Sequence, residues 1–312
     1  MADLDGDARA ALCDRRGDEV TCWASRGDGF GDALGRLSLE PGATSFELAD
    51  IDGDGNLDGC ARGASGLRCA FCGTRLFERV VLLPALSDAA GFSDVIHHGT
   101  LRFGDVDGDG RSDVCARGAE GVDCGLGGAE GFEVRWTGPR WSDASGFDSL
   151  SRWSTLRLAD VSGDGRDDLC ARTPEGFRCA LAGDAGFEST TTGPAMDEPA
   201  WDTPAVFSTL RMGDVDGDGR ADACASDDAG SGAVLVAPTD RDPTDAGSRI
   251  GAATLRIAGG RGGRAGPRPG LVGEGCAVLG PGTASGRGSL GAWLAVIRLG
   301  LVASRGRRRR AR

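Results

Sequence analysis

Short segments in which apolar and polar residues alternate recur along the chain. Residues 100–103, 155–158 and 209–212 each begin with Thr-Leu-Arg and end with an apolar residue. Alternation of this kind predicts a β-strand. Two further predicted strands, residues 168–172 and 177–181, flank a tight turn and illustrate how each unit continues. Each unit therefore contains three or four short strands.

An acidic segment with the pattern D-x-D-G-D-G-x-x-D separates the first two predicted strands of a unit. Its copies begin at Asp50, Asp105, Asp160 and Asp214, in steps of 55, 55 and 54 residues, and a weaker copy begins at Asp3. A repeat of this length suits a four-stranded blade of a β-propeller and is too long for one coil of a β-helix. We therefore predict an all-β fold, a partial β-propeller of about five blades.

The repeats end before the chain does, which divides it into three predicted parts. The propeller is expected over residues 1–237, a linker rich in Gly, Pro and Arg over residues 238–275, and a tail with a short hydrophobic helix over residues 276–312. In register, Met1 falls at the end of a predicted strand. We expect an N-terminal truncation; the alternative is a native start whose missing strand comes from the C-terminal part of the ring.

The acidic segments have the composition of a calcium loop. Alternate positions supply side-chain oxygens, the seventh position adds a backbone carbonyl, and Gly53 and Gly55 permit the tight turn. Such a set meets the six to eight oxygen ligands that Ca²⁺ prefers, and Mg²⁺ is the second choice. The predicted ligands are Asp50, Asp52, Asp54, Asn56, Asp58, Asp105, Asp107, Asp109, Arg111, Asp113, Asp160, Ser162, Asp164, Arg166, Asp168, Asp214, Asp216, Asp218, Arg220 and Asp222, with a weak set at Asp3, Asp5 and Asp7.

Two other interpretations of these loops agree less well with the sequence. An EF-hand needs a bidentate Glu at position 12, where this chain has Ala61, Ala116, Ala171 or Ala225. A solvated acidic turn without metal would leave several carboxylates converging without a counter-charge. About three to four Ca²⁺ sites are expected, with a weaker one where Ser162 replaces the second Asp.

Eight of the eleven cysteines form pairs nine residues apart, one pair in each of four hairpins. This spacing places the two cysteines opposite each other on neighbouring antiparallel strands, close to the separation that a disulfide needs. Disulfides indicate an oxidising compartment. In the fifth unit the expected partner of Cys224 is Ala233, and Cys72 has no assigned role. The predicted bridges are Cys13–Cys22, Cys60–Cys69, Cys115–Cys124 and Cys170–Cys179.

The strand, the DxDGDGxxD loop, the hairpin that follows and a Gly-Phe or Leu-Phe pair eight residues past the second cysteine resemble FG-GAP/VCBS repeats of the integrin α-subunit type. The resemblance covers about residues 1–237. It implies a β-propeller with Ca²⁺ in the loop that joins the first two strands of a blade. Rings of this family usually have seven blades, so closure of the ring by this chain is left open.

Charge divides the chain in the same way as the repeats do. Residues 1–240 have a net charge of −23, and residues 241–312 have a net charge of +11. The acidic body should repel nucleic acid, so a nucleic-acid partner is excluded.

The tail contains Gly275-Cys276, an apolar run interrupted by Arg298, and an Arg cluster. It resembles the MYXO-CTERM sorting signal of myxobacterial surface proteins, which implies processing and attachment at Cys276 and membrane association through the tail. A disordered basic tail is the alternative.

No arrangement of Ser, His and Asp or phosphate-binding loop stands out, so a non-enzymatic protein is expected. His98 aligns with Trp153 and Phe207 and is expected to pack. Trp136, Trp141, Trp153 and Trp201 are expected to fill gaps between blades, with sugar stacking as the alternative.

The function expected from these features is adhesion or protein recognition, by a secreted or cell-surface propeller of a Gram-negative bacterium, at its outer surface or in its periplasm. Its partner is an unknown protein or glycan. Two alternatives remain open: a lectin-like carbohydrate-binding propeller, and the accessory repeats of a secreted enzyme whose catalytic domain is missing from this chain.

Overall fold

The computed structural model describes Leu4 and residues 9–236 without residues 74, 75, 78, 133, 134, 194, 195, 197, 198, 216 and 227–232. Several predicted features lie outside the described residues. They are Asp3, Asp5, Asp7, Asp216, Cys276, the linker over residues 238–275 and the tail over residues 276–312.

The described chain folds into five antiparallel sheets in chain order, each a simple meander of consecutive strands, which confirms the all-β prediction. The first sheet contains β1 (Leu12–Arg16), β2 (Glu19–Ser25) and β3 (Phe30–Ser38), and the second contains β4 (Glu47–Ala49), β5 (Asp58–Gly63), β6 (Gly66–Phe71) and β7 (Arg79–Leu83). The third contains β8 (Arg102–Gly104), β9 (Asp113–Arg117), β10 (Val122–Gly125) and β11 (Arg135–Thr137). The fourth contains β12 (Arg157–Ala159), β13 (Asp168–Thr173), β14 (Gly176–Gly183) and β15 (Gly186–Thr192), and the fifth contains β16 (Arg211–Gly213), β17 (Asp222–Ser226) and β18 (Ala233–Val236).

The first strands of the later sheets start two residues after the predicted positions. The sequence pattern predicts Thr100, Thr155 and Thr209 in these strands, but each lies in the turn that ends a short helix. The Thr100 hydroxyl, for example, donates to the His97 carbonyl at 2.6 Å. Such a local bond satisfies a helix-end carbonyl and holds the residue out of the strand.

Short helices connect the later sheets. Single-turn α-helices α1 (Val95–His98), α2 (Leu150–Trp153) and α3 (Pro204–Phe207) stand at equivalent positions, and short 3-10 turns precede them. None of the helices in the described ranges has the length and apolar character needed to cross a bilayer.

The core lies between consecutive sheets, which pack face to face. Cys60, Cys69 and Phe71 of the second sheet, for example, are in one buried cluster with Val114 and Ala116 of the third. Similar clusters join the first sheet to the second, the third to the fourth and the fourth to the fifth. Each sheet therefore depends on its neighbours for burial of its apolar face.

All four predicted disulfides are present, and their paired strands have the predicted register. Cys115, for example, lies directly opposite Cys124 with a Cα–Cα distance of 4.1 Å. These bridges indicate a secreted or extracellular protein.

The fifth sheet differs from the prediction made from spacing. Cys224 lies opposite Leu235, not Ala233, because six residues separate β17 from β18, against two to four in the other hairpins.

Candidate functional site

The acidic loops join the first two strands of the later sheets. In each loop, the side chain of the first aspartate accepts hydrogen bonds from the backbone of the same loop. Asp50 accepts hydrogen bonds from the backbone N–H of Gly53 at 2.9 Å and of Gly55 at 3.0 Å. Both glycines have positive φ, 75° and 87°, which disfavours any other residue. Asp105, Asp160 and Asp214 accept the same pair of bonds in their loops.

The last aspartate of each loop connects the loop to the sheet. Asp113 is fully buried, and its two carboxylate oxygens accept the N–H of Val106 and of Gly127, both at 2.7 Å. Asp58 and Asp168 are equally buried and make the equivalent pairs of bonds. This position therefore has a structural role that the ligand prediction did not include, and lone pairs remain on each carboxylate for a cation.

Burial determines the protonation of these carboxyl groups. It raises the pKa of Asp58 and of Asp113 to about 7 and that of Asp168 to about 6, against the lowering effect of their backbone hydrogen bonds. Neighbouring loop carboxylates add to the rise. A cation in the loop would oppose both effects.

Two loops bring three carboxylates together. Oxygens of Asp50, Asp52 and Asp58 lie within 4.8 Å of one another, and oxygens of Asp105, Asp107 and Asp109 do the same. All are hard oxygen donors, so the donor set fits Ca²⁺ or Mg²⁺ and not a soft metal.

The remaining predicted ligands make contacts within their own loops. Asp54 accepts from the backbone and the side-chain nitrogen of Asn56, and the Ser162 hydroxyl donates to Asp160 at 3.3 Å. Asp109, Asp164 and Asp218 accept from the backbone N–H of Arg111, Arg166 and Arg220, and Asp222 accepts from Val215 N–H.

Neighbouring loops are joined in series. The backbone N–H of Ser112 donates to the Asp50 carbonyl at 2.6 Å, and the N–H of Asp167 donates to the Asp105 carbonyl at 2.6 Å. The N–H of Ala221 continues the series by donating to Asp160. The acidic loops of the second, third and fourth sheets thus each contact the loop of the next sheet.

Arginine side chains also reach from one loop to the preceding one. A Cβ at Gly53 would lie 2.9 Å from Cγ of Arg111, which belongs to the next loop, and Arg166 and Arg220 are placed in the same way over Gly108 and Gly163. The seventh position was predicted only as a carbonyl ligand. Its side chain also covers the preceding loop.

Sequence reasoning did not identify a second repeated feature, a set of buried arginines at the hairpin end of the sheets. The sequence signal for these arginines is the motif Cys-Ala-Arg, which begins at the first cysteine of three of the four pairs. Each guanidinium forms an ion pair with an aspartate of the connector that follows its sheet: Arg62 with Asp88, Arg117 with Asp143, and Arg172 with Asp202.

His97 joins one of these pairs and has both ring nitrogens engaged. Its Nδ1 lies 2.8 Å from the Gly91 carbonyl and its Nε2 lies 3.1 Å from Asp143. His98 is half-buried, with Nδ1 3.2 Å from the Phe92 carbonyl. These contacts describe packing and anchoring of the connectors.

Three of the four tryptophans expected between blades pack against the clusters between sheets. Trp136 meets Phe187 edge-on with ring centroids 6.3 Å apart, and Trp141 stacks on Phe147 at 5.3 Å. Trp201 packs against the core between the fourth and fifth sheets.

No known protein-family model and no curated protein matches this chain. Among solved structures, a lectin of Agrocybe aegerita, described as recognising non-reducing terminal N-acetylglucosamine, matches 75% of this chain with 21% identity and a TM-score of 0.62. The chain spans 60% of that lectin's length. At this identity the match supports the fold alone.

Two weaker similarities have TM-scores too low to support an argument. The biofilm matrix protein Bap1 of V. cholerae has a TM-score of 0.30 and 19% identity over 60% of this chain and 27% of its own. A rhamnogalacturonan lyase of Bacillus licheniformis has a TM-score of 0.33 and 11% identity over 67% of this chain and 49% of its own.

Proposed function

We propose that this chain is a non-enzymatic recognition protein of an extracellular surface, built from FG-GAP/VCBS-type propeller blades whose acidic loops bind Ca²⁺. The convergence of three carboxylates in each of two consecutive loops is the observation that carries this proposal. The disulfides and the face-to-face packing of meander sheets support it.

The role proposed for the cation is structural. Asp105 and Asp113 hold the loop backbone, and Asp107 and Asp109 add charge next to them. Ca²⁺ in the loop would neutralise this charge and rigidify the edge of the sheet. The blades that carry the recognition surface would then be stabilised by a cation in the acidic loop at one end and, in four of them, by a disulfide in the hairpin.

The test is the thermal unfolding of the oxidised full chain with Ca²⁺, with Mg²⁺ and with chelator. A cation that binds only the folded state stabilises it, by about 2.7 kcal/mol at a cation concentration 100 times the Kd, and so raises the melting temperature. We expect a rise of several degrees with Ca²⁺ and a smaller one with Mg²⁺.

Two variants assign the effect to the loops. Asp107→Ser gives the third-sheet loop the residue that the next loop has at Ser162, and we expect it to reduce the Ca²⁺-dependent rise. Asp148→Asn removes an exposed carboxylate outside the loops and should leave the rise unchanged. Absence of a rise at millimolar Ca²⁺, or an equal loss in both variants, would contradict the proposal.

Glycans are the ligand class we propose for the recognition function. The acidic body disfavours anionic partners, and the fold matches that of a lectin. Binding of the full chain to a glycan array, in Ca²⁺, tests this class against protein ligands.

A further inference from the structure

The largest cavity described here lies between the second and third sheets, away from the acidic loops. Its volume is about 580 Å³. Leu83, Leu86, Phe92 and Phe132 provide an apolar lining, and Glu120 stands on the hairpin turn between β9 and β10. A cavity of this size, apolar with a few polar groups, is typical of a small-molecule site.

Polar groups surround this apolar lining. The guanidinium of Arg135 donates to the carboxylate of Asp123, and the buried ring of His97 also lines the cavity. Glu120 is exposed and makes no hydrogen bond or ion pair with another residue of the described ranges. Its carboxylate is therefore available to a ligand.

A second cavity occupies the equivalent place between the third and fourth sheets. Its volume is about 350 Å³. Its lining repeats that of the first cavity at a spacing of 55 residues, since Trp141, Phe147 and Glu175 stand where Leu86, Phe92 and Glu120 stand. Trp141 lies parallel to Phe147, with an interplanar angle of 8°.

The equivalent cleft between the first and second sheets is closed. Its volume is only about 10 Å³. The carboxylate of Glu40 accepts hydrogen bonds from the backbone N–H and the hydroxyl of Ser65, which occupies the position of Glu120 and Glu175. The two open clefts thus share an exposed hairpin glutamate that the closed cleft lacks. The Glu175 carboxylate also accepts a hydrogen bond from the Thr173 hydroxyl at 2.9 Å and keeps lone pairs for a second donor.

We propose that these two clefts, each with an aromatic wall and a hairpin glutamate, are equivalent binding sites for a pyranose sugar. A pyranose has an apolar C–H face that packs on aromatic rings and hydroxyl groups that donate to carboxylates. The carboxylates of Glu120 and Glu175 accept from the sugar hydroxyls, while the half-buried rings of Phe132 in one cleft and Trp141 in the other form the wall. The strong negative charge of residues 1–240 disfavours anionic ligands.

This proposal rests on the proposed recognition function and gives the glycan a place on the molecule. The probes are N-acetylglucosamine and methyl glucoside, titrated into the full chain in Ca²⁺ and followed by calorimetry and by tryptophan fluorescence. Sorbitol, an acyclic polyol without a pyranose face, is the control ligand. We expect two sites per chain, a fluorescence change on filling the cleft that contains Trp141, and no binding of sorbitol.

Isosteric variants separate the two sites. Glu120→Gln and Glu175→Gln keep the shape of exposed side chains, and each should weaken one site by about tenfold, the effect of losing one charge-assisted hydrogen bond. The double variant should lose detectable binding, and Asp148→Asn should bind as the unmodified protein does. Trp141→Phe should remove the fluorescence change and retain binding.

Two results would overturn the proposal. Unchanged sugar affinity in the double variant would exclude the clefts and leave glycan recognition standing. Absence of binding of either pyranose, with a normal Ca²⁺-dependent melting temperature, would exclude sugar sites and leave the cation-stabilised blade intact. Melting curves of each variant show whether a lost affinity reflects unfolding.

Discussion

Strand β9 has a buried charge at each end, and the two ends differ in how that charge is satisfied. Asp113 at its start and Arg117 at its end are both fully buried. Arg117 forms an ion pair with Asp143 and donates to the carbonyls of Gly118 and Ile96. Asp113 receives two backbone N–H groups and, within the described ranges, no cationic side chain. The chain pairs one buried charge with an opposite charge of its own, whereas the described residues offer the other only backbone N–H groups.

The same contrast occurs in β5 and β13, each of which has a buried aspartate at its start and a buried arginine near its end. Desolvated charges destabilise a fold unless they are paired, so the two ends of these strands should respond to different agents. The contribution of the hairpin end, where the buried arginines lie, to stability should not change with Ca²⁺. The contribution of the loop end, where the buried aspartates lie, should depend on it.

The largest effect is expected from Arg117→Met. This substitution leaves two carbonyls without their donor and leaves the carboxylate of Asp143 with only the His97 ring beside it. The free energy of unfolding should fall by about 3–5 kcal/mol, as for other broken buried pairs. Denaturant unfolding should give the same loss with Ca²⁺ and with chelator. Arg16→Met, at an exposed ion pair, should cost less than about 1 kcal/mol. Equal losses in the two variants would contradict the comparison.

A smaller loss is expected when the third-sheet disulfide is removed by Cys115→Ala with Cys124→Ala. Cross-links that close short loops contribute about 2–3 kcal/mol. Denaturant unfolding should show this loss in Ca²⁺ and in chelator alike. The control is Cys72→Ala, at a buried cysteine outside any bridge. A loss that disappears in Ca²⁺ would show that the two ends of the blade are not independent.

The loop end should show a pH dependence that Ca²⁺ reverses. The pKa of Asp113 is about 7 in the folded chain, above its ordinary value of 3.8. Without Ca²⁺, the stability from this group is therefore full at low pH and lost as pH rises through about 7. Ca²⁺ competes with the proton, so its stabilising effect should grow between pH 5 and 8.

The measurement is the melting temperature across this pH range in Ca²⁺ and in chelator. Asp113→Asn, a neutral isostere, should weaken the pH dependence seen in chelator. A melting temperature that rises with pH in chelator would show that the buried carboxyl groups do not control the loop end.

The smallest effect is expected from Ser162→Asp, which completes the fourth-sheet loop. The added carboxylate should increase the Ca²⁺ affinity of that loop and leave the melting temperature in chelator equal or slightly lower, because like charges are brought together. Calorimetric titration should show one tighter site. Ser208→Asp, at an exposed residue outside the loops, is the matched control. Equal titrations for both variants would remove this loop from the cation sites.

Features that depend on short spacing could be predicted from the sequence. The register of Cys115 with Cys124 follows from nine residues and a tight turn, and the repeat of the acidic loops is visible in the residues alone. The fifth hairpin shows the limit, since a longer loop shifts the partner of Cys224 to Leu235.

Features that depend on distant residues could not be predicted. Arg117 and Asp143 are 26 residues apart. Asp88 and Asp143 repeat at the 55-residue spacing of the units, but that spacing does not show that an arginine of the sheet pairs with them. The open clefts arise from the packing of consecutive sheets, so neither Glu120 nor Glu175 stood out in the sequence. The carbonyl of Asp50 meets the N–H of Ser112 only after two sheets are assembled.

The bond from Ser112 to Asp50, repeated from loop to loop, has an evolutionary consequence. Each repeat presents the acceptor that the next one needs and the donor that the previous one needs, so the contact is head-to-tail and does not depend on which copies meet. A duplicated unit could therefore be inserted in frame between two others with its contacts already complementary. Lineages that carry this unit should differ in copy number more readily than in the residues that join the copies.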